Sequence, residues 1–306
     1  MYDKAKALPF LLALLSACSS DFAPYSKLDR LRVLGVRAEP PTPGQGEACT
    51  LSALTFAPAG DAIAYHWSFC PVLAHAKDEY NCPIDEATAQ RIFGTSPPFD
   101  LGNAETASFT NPFAWDLLGA FCAAGIDGAG VAQAIDCRPG FPVTIVLDVA
   151  TSSDALRAAF TVNLPSSSPP ELNANPTVLG LFLGGQSLSE TPDPLSLPAG
   201  KAVELSAQLA PDSVEMRPIP PTEPGTGLRR EGLRLSWFAD AGSLDETRTV
   251  YLDGETTLEQ ATTNHWTPPD AANWPAQGLV HLDVVVRDDR GGVGWLSRQV
   301  QLAVAP

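Results

Sequence analysis

Several groups of side chains in this 306-residue chain are of types that do chemistry. Cys70, His75, Asp78, Glu79 and Cys82 bring metal-ligand types together in one short segment. Their spacing matches no zinc pattern, and zinc needs thiolates that an oxidising compartment removes. Asp288 and Asp289 precede Arg290-Gly291-Gly292 and are a candidate calcium pair. Calcium takes roughly six to eight oxygens, more than this turn offers alone. The same residues suit a tight hairpin, because Asp and Gly tolerate positive φ. Asp78, Glu79, Asp85, Glu86 and Asp116 could serve a hydrolase as general acid and base if the fold gathered them, but their spacing does not. His66, His265 and His281 fall in expected strands and read as outward polar positions; His75 does not. There is no H-E-x-x-H, G-x-S-x-G, S-x-x-K, P-loop, or G-x-G-x-x-G ahead of a helix. No residue is assigned to catalysis or to a cofactor, and the chain is expected not to be an enzyme.

The extreme N-terminus has a different chemistry. Lys4 and Lys6 precede an apolar run, Leu8 to Leu15, and then Leu15-Ser16-Ala17-Cys18. The run is too short to span a bilayer but suits a signal-peptide core. The segment resembles the bacterial lipobox. That resemblance implies cleavage before Cys18, acylation of its sulfur and usually of the new amine, and a membrane anchor made of several acyl chains. Ser19, rather than Asp, follows the cysteine, which by the same resemblance favours the outer membrane. The whole chain carries a net charge of −16. Loss of residues 1–17 removes Asp3, Lys4 and Lys6 and leaves about −17. Such a chain is repelled by nucleic acid and by anionic head groups, and no Lys/Arg run marks a local exception.

Export favours disulfides. Cys49, Cys70, Cys82, Cys122 and Cys137 leave one thiol over. Cys70–Cys82 and Cys122–Cys137 would close local loops, each worth about 3 kcal/mol in the chain-entropy model. Cross-pairing stays open. Cys49 falls on an inward strand position and reads as a buried free thiol.

These side chains must be positioned by a scaffold that repeats itself. Leu31–Val36 matches Pro176–Leu181, and Gly46–Ala53 matches Gly200–Ala207. Tyr65–Phe69 matches Arg234–Phe238 with Trp67 on Trp237. Ala107–Pro112, Val143–Val149 and Phe160–Leu164 match Asn264–Pro269, Val280–Val286 and Gln299–Ala303 in the same order. That is an internal duplication. The repeated segments read as strands: Val203, Leu205, Ala207 and Leu209 share one face, as do Val280, Leu282, Val284 and Val286. One dry face per strand predicts antiparallel sheets packed face to face.

The segments Leu235–Leu244, His265–Pro269 and Val284–Val293 are similar to bacterial immunoglobulin-like and PKD-type domains. In that family a third strand carries a core Trp, and a V-x-D-x-x-G-G turn joins the last two strands. The expected fold is all-β: two tandem immunoglobulin-like β-sandwich domains, the first with small, disulfide-bearing, partly helical insertions. The expected layout is a signal peptide at 1–17, a tether at 18–28, domain 1 at 29–164, a Pro-rich linker at 165–176 and domain 2 at 177–306. Insertions fall at 71–98 and 112–140. A short helix is expected at Asp85–Phe93, and another with Phe113, Leu117, Ala120, Phe121 and Ala124 on its apolar stripe. Both insertions and the loop 210–232 are expected to meet at the domain junction. Trp67, Trp237 and Trp266 read as core anchors; Trp274 and Trp295 could be exposed.

The function expected is a lipid-anchored structural or protein-interaction module of the cell envelope. Carbohydrate or peptidoglycan binding and an envelope hydrolase are the alternatives. The membrane, through Cys18, is the one partner the residues name; a protein or envelope polymer is the expected second, and nucleic acid is not.

Overall fold

The computed structural model describes residues 24–58, 61–124, 137, 139–167, 173–191, 194–197, 200–219, 226–275 and 277–303. Cys18, the lipobox and the signal segment lie outside them.

The first sandwich has seven strands: β1 (Arg32–Glu39), β2 (Ala48–Phe56), β3 (Ala64–Cys70), β4 (Asp100–Gly102), β5 (Ala107–Thr110), β6 (Phe141–Ala150) and β7 (Ala155–Leu164). They form sheets β1-β2-β5 and β4-β3-β6-β7. Two helices interrupt them, α1 (Glu86–Phe93) and α2 (Trp115–Ala124).

The second sandwich has long strands β8 (Val178–Leu183), β11 (Val203–Leu209), β14 (Leu233–Ala239), β17 (Thr263–Thr267), β18 (Leu279–Asp288) and β19 (Val293–Leu302). The shorter ones are β9 (Gln186–Ser187), β10 (Pro194–Leu195), β12 (Met216–Pro218), β13 (Leu228–Arg230), β15 (Ser243–Leu244) and β16 (Arg248–Tyr251). A short helix, α3 (Leu258–Thr262), precedes β17. The sheets are β10-β19-β18-β14-β16 and β15-β17-β11-β8-β9, with β12-β13 a separate hairpin.

The duplication survives as pairing. β1 with β2, β2 with β5, β3 with β6 and β6 with β7 have counterparts in β8 with β11, β11 with β17, β14 with β18 and β18 with β19. The protein is all-β, two tandem immunoglobulin-like sandwiches.

Each sandwich closes over its own tryptophans. Trp67 is fully buried among Leu51, Phe69, Phe109 and Leu147, and its indole donates to Ala104 O at 3.0 Å. Trp237 and Trp266 are fully buried in the second core and donate to Thr249 Oγ1 and Ala241 O. Burying these rings favours the fold only because each N–H keeps an acceptor.

The expectation of one dry face per strand holds for β11 but not for β18. Val280, Leu282, Val284 and Val286 enter the second core, yet Asp283 and Val285 on the opposite face are buried too. The reason is that the sandwiches lie side by side. Leu28, Leu34, Phe238, Val285 and Val293 form a third apolar cluster between them, edged by Leu54, Phe56 and Trp295. Trp295 is covered by the Arg37 guanidinium, 4.8 Å from the ring centroid, and Trp274 is partly buried with its indole bonded to Pro269 O.

The flanking segments also differ from expectation. Residues 24–28 are no free tether. Lys27 bridges in parallel to Ala239, Leu28 N donates to Ala239 O, and Ser26 O accepts from Ala239 N. The described end of the linker, 173–176, is a clamp rather than a spacer. Asn175 Nδ2 donates to Ala38 O at 2.7 Å, and its Oδ1 accepts from Val293 N at 2.8 Å.

The insertions and the 210–232 loop meet the junction only at its margin. Phe93 of α1 packs on Phe113, Phe121 and Phe141. Gly119 of α2 approaches the Ser166 carbonyl, and Glu215 of the loop accepts from Ala174 N. The seam itself is built by β1, β2, β14, β18 and β19. The buried side of α2 is also rotated from the expected stripe: Leu118 is buried, while Ala120 and Ala124 are exposed. Cys122 must face inward to bond Cys137, and Leu118, one turn earlier, shares its face.

Candidate functional site

The cysteines pair locally, Cys70 with Cys82 and Cys122 with Cys137. The zinc alternative therefore loses both thiolates. Cys49 is a buried free thiol whose pKa burial pushes up to about 12.

The candidate carboxylates stay apart, each used locally. Asp85 caps α1, accepting from Thr88 N at 2.7 Å; hydrogen bonds with the Thr88 side chain and then its backbone lower the Asp85 pKa. Glu86 accepts from Phe99 N, and Asp116 from Leu117 N. Asp78 stands beside Lys77. Glu79 lies in the left-handed region with φ 53°, and its carbonyl accepts from Arg157.

The candidate calcium pair is a hydrogen-bonded clamp instead. Asp288 Oδ1 accepts from Arg290 N at 2.8 Å and Gly292 N at 2.7 Å, and Oδ2 accepts from Asn173 Nδ2 at 3.0 Å. Burial raises the Asp288 pKa despite these donors. Asp289 Oδ2 meets Arg217 at 2.6 Å. Arg290 bonds Glu215 and Glu231, while its carbonyl accepts from Asn163 of the first sandwich at 2.9 Å. The second glycine of the V-x-D-x-x-G-G turn is required by contact: a Cβ on Gly292 would lie 2.1 Å from Asp288 Oδ2. No group of three or more metal-ligating side chains occurs among the described residues.

At the edge of the seam a polar group comes together that its linear sequence does not announce. His281 Nδ1 meets Asp240 Oδ2 at 2.8 Å, and its amide donates to Asp240 Oδ1 at 2.9 Å. Phe56 of the first sandwich packs edge-on to the imidazole at 5.9 Å. The hydrogen bond to Asp240 raises the His281 pKa. Asp283, on the same strand face, is raised to about 6 by burial, with Ser297 as its hydrogen-bond partner. An Asp–His pair can drive a nucleophile, but His281 Nε2 meets Gln299 at 2.6 Å, not a hydroxyl or thiol. His66 lies on the outer face of β3, bonded to Asn103. Nearby, Arg157 clasps both Asp148 oxygens at 2.7 and 2.9 Å and also bonds Asn81. These are satisfied, charge-assisted contacts that hold strands and loop together.

No family model and no curated protein matches this chain. Solved structures align with it at low similarity. Three N-terminal domains of the bacteriophage RB49 outer capsid protein Hoc are 10% identical over 90% of this chain and 71% of that one, with a TM-score of 0.22. The Yersinia pseudotuberculosis adhesin InvE is 11% identical over 88% and 58%, with 0.22. Drosophila N-cadherin EC1–4 is 11% identical over 88% and 50%, with 0.19.

Proposed function

We propose that this chain is a lipid-anchored lipoprotein of the cell envelope, most consistent with the outer membrane, acting as a non-catalytic structural or protein-interaction module. The lipobox Leu15-Ser16-Ala17-Cys18 carries the reading, and the docking of residues 24–28 says what such an anchor would hold. Leu28 and Ser26 are buried against the second sandwich at the seam, so whatever holds Cys18 holds both sandwiches through a short lead. Two disulfides fit an oxidising compartment. Asn175 ties the linker to both sandwiches and Asn173 bonds Asp288, contacts that suit a spacer or docking platform.

Growth with an alkyne analogue of palmitate should label the chain, and Cys18→Ala should abolish the label and move the protein to the soluble fraction. A wild-type chain that is soluble and unlabelled contradicts the reading. Density-gradient separation of inner and outer membranes tests the location.

The carbohydrate- or peptidoglycan-binding alternative retains Trp115, 48% exposed at the start of α2, as its platform. Pull-down on purified peptidoglycan, with Trp115→Ala as control, decides it.

A further inference from the structure

The sequence holds no basic run, but the fold assembles one from separate strands. Arg234 of β14 stands directly opposite Arg287 of β18, a cross-strand pairing of like charges that costs stability. Arg248 of β16 lies on the same sheet face, two residues from Val250, which pairs with Arg234. The Tyr25 ring sits over the Arg248 guanidinium at 4.9 Å. Tyr25 also lines a cleft of about 340 Å³ with Arg30, Arg32 and Leu34, and the Leu34 carbonyl accepts from Arg287 at 2.6 Å. Tyr25 and Leu34 therefore join the two arginine sets into one surface.

That surface is under-neutralised. In and beside the cleft stand Asp29, 3.5 Å from Arg32, and Asp154. Arg32 Nε is buried with no hydrogen-bond partner, and Nη2 has only the 3.5 Å ion pair with Asp29. Burial chiefly lowers the Arg287 pKa; Tyr25 opposes that shift, and the charges of Arg248 and Arg234 add to it. Five arginines meet here in a chain with only 19 basic residues and a net charge of −16. Exposed apolar side chains are interleaved with them: Tyr25 is 44% exposed and Val250 40%.

We propose that this surface, the exposed Tyr25, Arg30, Arg234 and Arg248 with the largely buried Arg32 and Arg287 behind them, docks on the anionic phosphate head groups of the membrane that carries the anchor. The inference rests on the anchor proposed above. Tyr25 follows Cys18 by seven residues, so an extended chain keeps the surface within about 25 Å of the acylated cysteine. Arginines are attracted to an anionic surface, and an aromatic ring among them suits the interface. The rest of the chain, being acidic, is repelled, so the two effects together orient the molecule with its seam toward the bilayer.

The test uses the mature chain with Cys18→Ser, so that no acyl group contributes. It is sedimented in low salt with vesicles of phosphatidylcholine alone, or with one-third phosphatidylglycerol. Binding to the anionic vesicles should exceed the neutral ones by about tenfold or more and fall steeply with salt. The double variant R234E/R248E should bring it to the neutral level at an unchanged melting temperature, since both side chains are exposed. Arg30→Glu, on a different segment, should act in the same direction. Equal binding to both vesicles, or binding that the variants leave intact, overturns the proposal. Competition by inorganic phosphate beyond its effect on ionic strength assigns the cleft to a free anion and overturns the lipid assignment. Because the chain is unacylated, failure here leaves the anchor standing, and failure of palmitate labelling leaves this result standing.

Discussion

Gly35 and Val285 face each other across the seam so closely that a Cβ added to the glycine would lie 3.1 Å from Val285 Cγ1. Gly35 belongs to β1 of the first sandwich, beside a register shift, and Val285 to the outer face of β18 of the second. The approach lets two sheets, each already committed to its own core, share a third. Gly35→Leu would wedge that contact. We expect a loss of about 1–3 kcal/mol, seen as a lower midpoint in urea. An unchanged midpoint would mean that the seam opens without cost.

Asn175 is the polar counterpart of that contact. Its amide serves Ala38 O, Glu39 Oε2 and Val293 N in both sandwiches. Asn175→Ala leaves buried backbone groups without partners and should cost about 1–3 kcal/mol. Calorimetry should resolve one cooperative transition into two as the sandwiches uncouple. A single unaltered transition argues that the apolar cluster alone couples them.

The seam also carries a pH dependence of definite sign. Asp283 titrates near 6 in the folded protein instead of 3.8, because burial disfavours its charge, and His281 is raised by Asp240. A raised folded pKa adds stability that is complete below the unfolded value and lost as pH rises through the folded one. For Asp283 the loss runs from about pH 4 to beyond pH 6, and His281 continues it above 6.5. Stability should therefore fall between about pH 4 and pH 8, by on the order of 1–3 kcal/mol, read as a falling melting temperature. Asp283→Asn should flatten the slope; a steeper fall in that variant would reverse the assignment.

Thiol chemistry separates the sandwiches. Both disulfides lie in the first, closing separations of 12 and 15 residues. Replacing Cys122 and Cys137 by Ser should destabilise the protein by about 2–4 kcal/mol, read as a lower midpoint of the shared transition. In the native mature chain with Cys18 acylated, a thiol reagent should find no reactive group. After denaturation it should find one, Cys49.

Strand positions were legible because each has a dry face: Val203–Leu209 and Val280–Val286 stand where their alternation put them. The pairing of Trp67 with Trp237 carried the duplication into matching sheet positions. The seam was not read, although its signal was present. Val284-Val285-Val286 and Val33-Leu34-Gly35-Val36 break the alternation, and such runs belong to strands dry on both faces. The turn at Asp288–Gly292 was read as a hairpin, but the partners of its carboxylates, Asn173 and Arg217, are distant in sequence and were not. The arginine surface was invisible for the same reason: register across β14, β16 and β18 assembles it, not adjacency.

Small-angle X-ray scattering on the mature chain tests the side-by-side seam most directly. A chain of this length folded into one compact body has a radius of gyration of about 19 Å. We expect a value close to that, with a single-peaked distance distribution. A two-lobed distribution and a radius well above about 25 Å, as for sandwiches joined end to end, would contradict the account.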